Sequence, residues 1–142
     1  MIGQTALGLV AFRGAWDLAR IITDHRSGTM SRFDGTAVFT PDDDGLSYFE
    51  SGQLYLPGQS PFQAERRYHW REVEGVIHVF FDDGRFFHSF DDAHPAATHW
   101  CDPDTYDVAY DFTEWPKWRS TWNVLGPRKA YEMINDYTRT AV

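Results

Sequence analysis

Charged and imidazole side chains recur among aromatic side chains at every second position of this sequence. Glu50 lies two residues from Tyr48, and Arg66 lies two residues from Tyr68. Alternate residues of a β-strand share one face, so we predict that these polar groups face the protein interior beside aromatic rings. The same pattern contains Arg20 after Trp16 and Leu18, His88 between Phe86 and Phe90, and His99.

Buried charge is costly unless it is paired or solvated, which gives these residues two interpretations. In the first, Arg20, Glu50 and Arg66 form an internal ion-pair network that fixes the register of the strands. In the second, they line a cavity in which guanidinium groups bind an acid and aromatic rings contact an apolar body. We predict the second, a small-molecule binding protein for a partly aromatic or acidic organic ligand. The predicted ligand-binding residues are Arg20, Tyr48, Glu50, Arg66, Tyr68, His88, Tyr106, Tyr110 and Trp122.

His88 and His99 support an enzymatic alternative on the same scaffold. Either imidazole could serve as general acid or base beside a tyrosine hydroxyl or Glu50. The reaction would then be of the isomerase, lyase or cyclase type. The sequence leaves binding and catalysis open.

His88, His99 and Cys101 also raise the question of a metal site. His99 and Cys101 are two residues apart and share a strand face, and both residue types bind zinc. The spacing matches no zinc motif, and nothing further supports a haem held by a histidine, so we predict neither metal nor cofactor. Cys101 is expected to be a packed thiol, because no helix N-terminus or local signature would activate it.

Trp115 and Trp118, on either side of Pro116, support a third interpretation. They either close one end of the fold or stand on the surface as a protein-interaction patch. Such a patch is how a small domain of this kind would form a homodimer. In this alternative the protein is an interaction module without a ligand.

The elements that position these residues are about ten short segments with the period-2 pattern of strands. Turn residues such as Pro41–Gly45 and Asp82–Gly84 separate them at intervals of about 8–12 residues. Sequential hairpins without long crossovers predict an all-β, up-and-down barrel as a single domain over residues 1–142. Thr5–Phe12 is expected to form a short helical turn, and Arg128–Thr140 fits a strand or a helix about equally well.

Composition excludes several classes of protein. Aromatic residues make up 17% of the 142 residues, too much apolar material for a disordered chain. The net charge of −8 disfavours a nucleic-acid partner, and no apolar run approaches the ~20 residues of a membrane helix. A single cysteine excludes an internal disulfide framework. We therefore expect a cytoplasmic protein without nucleic-acid or membrane partners.

The segment Gly14–Trp16 opens the first predicted strand, and Arg139 lies in the last predicted element. This pairing resembles the lipocalin and fatty-acid-binding (calycin) pattern, in which a Gly-x-Trp of the first strand packs against an arginine of the last. The resemblance implies a calycin-like barrel in which the Arg139 guanidinium stacks on the Trp16 ring.

A second resemblance covers nearly the whole chain. The segments that carry it are Phe12–Trp16, Tyr48–Gly52, Arg67–Trp70, Phe81–His88, His99–Tyr106 and Trp122–Lys129. They resemble an uncharacterised family of small proteins, a domain of unknown function. That resemblance implies a compact all-β domain and brings no established activity.

Overall fold

The computed structural model describes residues 7–141, which form ten antiparallel β-strands preceded by one turn of 3-10 helix, Leu9–Phe12. The predicted helical turn is confirmed there, while residues 5 and 6 lie outside the described part of the chain. The strands are β1 Gly14–Asp24, β2 Thr29–Pro41, β3 Leu46–Tyr55, β4 Phe62–Val73, β5 Val76–Phe81, β6 Phe86–Phe90, β7 Ala96–Cys101, β8 Asp104–Asp111, β9 Trp118–Leu125 and β10 Ala130–Arg139.

Except at β6 and β7, strands that are neighbours in the chain pair with each other, and the first strand also pairs with the last. From β1 to β6 and from β7 to β10, each strand pairs antiparallel with the next, and β1 also pairs with β10. β6 and β7 lie side by side, but no ladder register joins them within residues 7–141. The predicted up-and-down barrel of about ten strands is confirmed, with one seam between β6 and β7. No helix in this part of the chain is long and apolar enough to cross a membrane.

The last element is a strand, although its sequence fitted a helix about equally well. Met133, Asn135 and Tyr137 are buried at every second position of β10. Burial of this face between β1 and β9 outweighs the helix propensity of the segment, as tertiary packing commonly does.

One end of the barrel is closed by contacts on Trp16, which is fully buried. The Trp16 indole nitrogen donates a hydrogen bond to the Phe12 carbonyl at 2.8 Å. The Arg139 guanidinium lies 3.9 Å from the Trp16 ring centroid and donates hydrogen bonds to the carbonyls of Arg13 and Ala11. The stacking of Arg139 on Trp16 that the resemblance to the calycin pattern implies is therefore present.

Trp115 and Trp118 also belong to this closed end. Trp118 is only 3% exposed, and its ring stacks on Tyr137 at a centroid distance of 3.8 Å. The ring of Trp115 lies 5.1 Å from that of Phe12 and 5.6 Å from that of Trp16. The interpretation of Trp118 as a surface contact is wrong, because β9 places its side chain on the inner face of the barrel.

A β-bulge in β6 changes which side chains enter the interior. Val79 of β5 pairs with His88, whereas the next residue, Phe80, pairs with Phe86. Phe87 is the extra residue, and it is buried together with His88, while Phe86 is 50% exposed. The prediction that Phe86 shares an inner face with His88 is wrong, since the bulge shifts the alternation at this point.

Two glycines face each other where β2 and β3 approach most closely. Gly35 and Gly52 are register partners, and a Cβ atom on either would overlap a backbone carbonyl oxygen of the opposite strand. Only glycine permits this approach, so the pair allows the sheet to bend as it closes into a barrel.

Replacing Gly35 with alanine is expected to lower the free energy of unfolding by about 1–3 kcal/mol, because the methyl group collides with the Ser51 carbonyl. Urea denaturation followed by tryptophan fluorescence measures this. Gly8→Ala is the matched control, since its Cβ would lie at an ordinary 3.7 Å from the nearest Glu72 oxygen. Equal stabilities for the two variants would contradict the close-approach argument.

Candidate functional site

A cavity of about 30 Å³ lies halfway along the barrel. This volume accommodates about one or two non-hydrogen atoms. Its lining combines charged, polar and aromatic side chains: Arg20, Tyr48, Glu50, Tyr68, Trp70, Val79, Phe87, His88, Tyr110, Trp118, Ser120, Trp122, Asn135 and Tyr137.

One wall of the cavity is built on a buried ion pair between β1 and β3. Two guanidinium nitrogens of Arg20 donate to the two carboxylate oxygens of Glu50 at 2.7 and 2.8 Å. The third donor, Arg20 Nε, binds the side-chain oxygen of Asn135 on β10. Arg20 is 5% exposed and Glu50 is 2% exposed, so the charges are satisfied by each other rather than by solvent.

Neighbouring hydroxyl and amide groups extend this ion pair into a polar network. Tyr48 donates to Glu50 Oε1 at 2.6 Å, and the Tyr137 hydroxyl lies 2.8 Å from that of Tyr48. Because the Tyr48 proton is used by Glu50, Tyr137 must be the donor of the second bond. The side-chain nitrogen of Asn135 donates to Ser120 Oγ at 3.1 Å.

Mutual attraction keeps both members of the pair charged. Burial alone would raise the pKa of Glu50, but Arg20 outweighs this effect and lowers that pKa below its ordinary value. Burial alone would lower the pKa of Arg20, whereas Glu50 raises it above its ordinary value. Burial raises the pKa of Tyr48 well above its usual range, so this phenol stays neutral.

The opposite wall carries His88 of β6 and Tyr110 of β8. The imidazole Nε2 of His88 lies 2.8 Å from the Tyr110 hydroxyl. Burial lowers the pKa of His88 to about 3, with a smaller contribution from His99, and burial raises the pKa of Tyr110 well above its ordinary value. Both side chains are therefore neutral near pH 7.

Two buried ring nitrogens of the lining have no hydrogen-bond partner among the described residues. They are His88 Nδ1 and Trp118 Nε1. Donation from the Tyr110 hydroxyl to His88 Nε2 satisfies the phenolic proton, whereas the reverse tautomer would leave that proton without an acceptor. We therefore assign the imidazole proton to Nδ1, which leaves two unpaired N–H donors in the lining.

Three aromatic rings line the cavity on the side facing the end of the barrel opposite Trp16, here called the open end. Tyr68, Phe87 and Trp122, here called the upper aromatic cluster, come from β4, β6 and β9. The Phe87 ring centroid lies 5.2 Å from that of Trp122 and 6.3 Å from that of Tyr68. Phe87 is buried, and the other two rings are half-buried.

The predicted ligand-binding residues fall into two groups. All of them line the cavity except Arg66 and Tyr106. Arg66 is exposed and Tyr106 is half-buried, and both lie beyond the upper aromatic cluster towards the open end. The alternative network of Arg20, Glu50 and Arg66 is present only in part, because Glu50 turns its carboxylate to Arg20.

Several lining residues were not among the predicted ones. Ser120 and Asn135 complete the polar network, and Trp118, Trp70 and Phe87 supply rings. The period-2 sequence pattern could have identified the two polar residues, since Ser120 lies between Trp118 and Trp122, and Asn135 between Met133 and Tyr137. The bulge concealed Phe87, and no sequence signal marks it.

The possible metal ligands are not arranged as a metal centre. Within residues 7–141, no group of three or more His, Cys, Asp or Glu side chains is placed to hold a metal ion. Cys101 is a free, half-buried thiol. The central cavity is also far smaller than a haem.

The region that carries this site matches a family of unknown function, DUF6314, over residues 12–139. The chain belongs to the DUF6314 family. The match begins at Phe12 and ends at Arg139, so it contains all ten strands, the cavity and the stacking of Arg139 on Trp16. The resemblance to an uncharacterised family is thereby confirmed. No curated protein matches the chain closely enough to count as a relative.

Because the Arg20–Glu50 pair of this DUF6314 protein is buried, removing one of its two charges should strongly lower the free energy of unfolding. Glu50→Gln keeps an acceptor for Tyr48 but leaves the Arg20 charge buried and unpaired, so unfolding should cost about 3–5 kcal/mol less. The double variant Arg20→Met/Glu50→Gln should lose less stability than Glu50→Gln alone. Denaturant titrations of the three proteins measure both effects.

The control for this experiment is a surface ion pair in the same barrel. Arg119 and Asp136 are joined at 2.7 Å, but their side chains are 51% and 48% exposed. Asp136→Asn should therefore change the free energy of unfolding by less than about 1 kcal/mol. A loss from Glu50→Gln no larger than that from Asp136→Asn would contradict the assignment.

The buried imidazole predicts a pH dependence of stability. Burial lowers the pKa of His88 from 6.5 to about 3. Between these two pH values His88 is protonated in the unfolded chain and neutral in the folded chain. The free energy of unfolding should therefore fall on acidification from about pH 6.5, by up to about 1.4 kcal/mol per pH unit from this residue. His88→Phe should show a shallower slope between about pH 7 and pH 5 in urea denaturation. His94→Phe removes a surface imidazole as the control, and equal slopes for wild type and His88→Phe would refute the prediction.

Proposed function

We propose that this protein binds a small organic molecule inside the barrel. The observation that carries the proposal is the pair of unpaired nitrogens, His88 Nδ1 and Trp118 Nε1, in the lining of a central cavity. A buried polar group without a partner costs about 1–3 kcal/mol, and a ligand atom that accepts its hydrogen bond removes that cost. Such groups are typical of sites that bind a polar ligand atom.

The chemistry of the lining selects the part of the ligand that enters the cavity. Both unpaired groups are assigned as N–H donors, so the inner end of the ligand is a hydrogen-bond acceptor such as a carbonyl oxygen. That end is also neutral, because the nearby Arg20 charge is already paired with Glu50. The volume of about 30 Å³ restricts it to one or two non-hydrogen atoms.

The remainder of the ligand would contact the upper aromatic cluster. Tyr68, Phe87 and Trp122 present ring faces and edges that suit an apolar or aromatic body. Tyr68 and Trp122 are half-buried, so a change of their rotamers opens space above the cavity, as side chains commonly do on binding. The stacking of Arg139 on Trp16 closes the other end, which supports a calycin-like barrel with its ligand inside.

Binding is favoured over catalysis by the electrostatics of His88. Its proximity to Tyr110 is the feature that an acid–base site would need. A pKa of about 3 makes the imidazole a weak proton acceptor near neutral pH, far from the value that suits a general base. His99 is half-buried at the open end, and an acid–base role for it is the alternative function. A cytoplasmic location belongs to the proposal, since a single cysteine is compatible with a reducing compartment.

The proposal predicts selective binding of acetophenone over α-methylstyrene, which has nearly the same shape but a methylene group in place of the acceptor oxygen. Affinity for acetophenone should be about five-fold higher, the equivalent of one hydrogen bond of about 1 kcal/mol. The Trp118 indole N–H resonance, assigned from Trp118→Phe, should shift saturably in NMR titrations. His88→Phe and Trp118→Phe should each reduce the preference for the ketone, because each removes one of the two unpaired N–H donors.

The matched control is Trp100→Phe, because Trp100 is 62% exposed on β7 and does not line the cavity. This variant should bind both compounds as the wild type does. Native mass spectrometry of freshly purified protein provides a second measurement, in which a co-purifying small molecule appears directly. Equal weak binding of both compounds, together with a bare protein mass, would overturn the proposal.

A further inference from the structure

The open end of the barrel carries an exposed cation, Arg66. Arg66 occupies an inner-face position of β4, two residues beyond Tyr68, and pairs in the ladder with Glu50. The Glu50 carboxylate is bound to Arg20 instead. Within residues 7–141, no carboxylate forms an ion pair with Arg66.

Other charged groups at this end are engaged with partners of their own. Lys129 lies 3.1 Å from Asp104, which is buried. In the groove beside Arg66, Asp83 binds Arg85 at 2.7 Å, and Asp82 lies 3.3 Å from His69. Arg67, on the outer face of β4, lies 4.1 Å from the Phe49 ring centroid. Arg66 is therefore available to a ligand.

Two tyrosines lie within electrostatic range of this guanidinium. Arg66 is close enough to Tyr68 and Tyr131 to lower the pKa of both, although burial dominates and raises each above its ordinary value. Tyr106 is also within electrostatic range of Tyr131. A guanidinium with neighbouring hydroxyl donors matches the hydrogen-bonding needs of a carboxylate or phosphate.

The position of Arg66 relates this group to the central cavity. Tyr68 lines both the cavity and an outer groove of about 420 Å³ that contains Arg66, so the two spaces meet at this ring. Residues two apart on a strand are separated by about 7 Å, roughly the length of a substituted benzene ring. A ligand body of that length placed against Tyr68 extends along β4 from the lining of the cavity to Arg66.

We propose that the ligand carries an anionic group that binds Arg66 at the open end, opposite its neutral acceptor end in the cavity. This inference rests on the proposed function, because it assigns the second end of the same ligand. The anion is a carboxylate or a phosphate, which share this recognition chemistry. The outer face of the sheet takes no part in it.

The test compares 4-acetylbenzoate with 4-acetylbenzamide, which share the ring and the ketone and differ in charge. Calorimetric or NMR titration should give about ten-fold tighter binding of the benzoate to the wild type, because charge-assisted hydrogen bonds are the stronger ones. Arg66→Gln should remove this difference and leave the affinity for the benzamide within about two-fold. Arg32→Gln, at an exposed position of β2 outside both the cavity and the groove, is the control and should behave as the wild type. The corresponding 4-acetylphenyl phosphate shows which anion is preferred.

Each outcome has a distinct meaning. Equal affinities for the benzoate and the benzamide in the wild type would overturn the anion site and leave the proposed function standing. An equal loss of both ligands in Arg66→Gln, with unchanged stability, would also overturn the anion site. Failure of the wild type to bind either compound or acetophenone would overturn the proposed function itself, and the anion site with it.

Discussion

The Arg20 guanidinium and the Glu50 carboxylate can be buried in the barrel only together. Each charge alone would cost several kcal/mol of desolvation, and two parallel hydrogen bonds between them compensate for it. The pair joins β1 to β3 across β2, and Asn135 adds β10. A shift of any of these strands by one residue would move its polar group to the outer face. The ion pair thus specifies the register of the strands on which the cavity is built.

This constraint also divides the interior into two chemically different halves. Hydroxyl and amide groups around Glu50 are used to satisfy the ion pair, so that wall has little binding capacity left. On the other wall, His88 is kept neutral by burial and contacts only Tyr110 with its second nitrogen. The unpaired hydrogen-bonding capacity of His88 therefore lies on the wall that lacks charge. The charged wall serves mainly to hold the shape of the site.

Much of this arrangement follows from the period-2 pattern of the sequence, and the exceptions have identifiable causes. Arg20, Tyr48 and Glu50 could be assigned to the interior because their strands alternate without interruption. Phe87 could not, since a bulge reverses the alternation within β6 and leaves no mark in the residue types. Alternation indicates which face a side chain occupies but not its position along the barrel axis. The sequence therefore predicts one site for Arg20 and Arg66, although only Arg20 lines the cavity. The partner choice of Glu50 depends on side-chain geometry across three strands and lies beyond any local pattern.

The barrel can widen more easily at the seam between β6 and β7 than between any two paired strands. Elsewhere around the barrel, widening it would break a ladder of backbone hydrogen bonds, whereas here side chains such as Phe87 and His99, 5.4 Å apart, span the boundary. Separating packed rings is easier than disrupting a ladder, because no backbone donor loses its partner. The internal volume is therefore a property that can vary while the topology stays intact. Expansion along this line would enlarge the site next to His88 and leave the ion pair on the opposite side undisturbed.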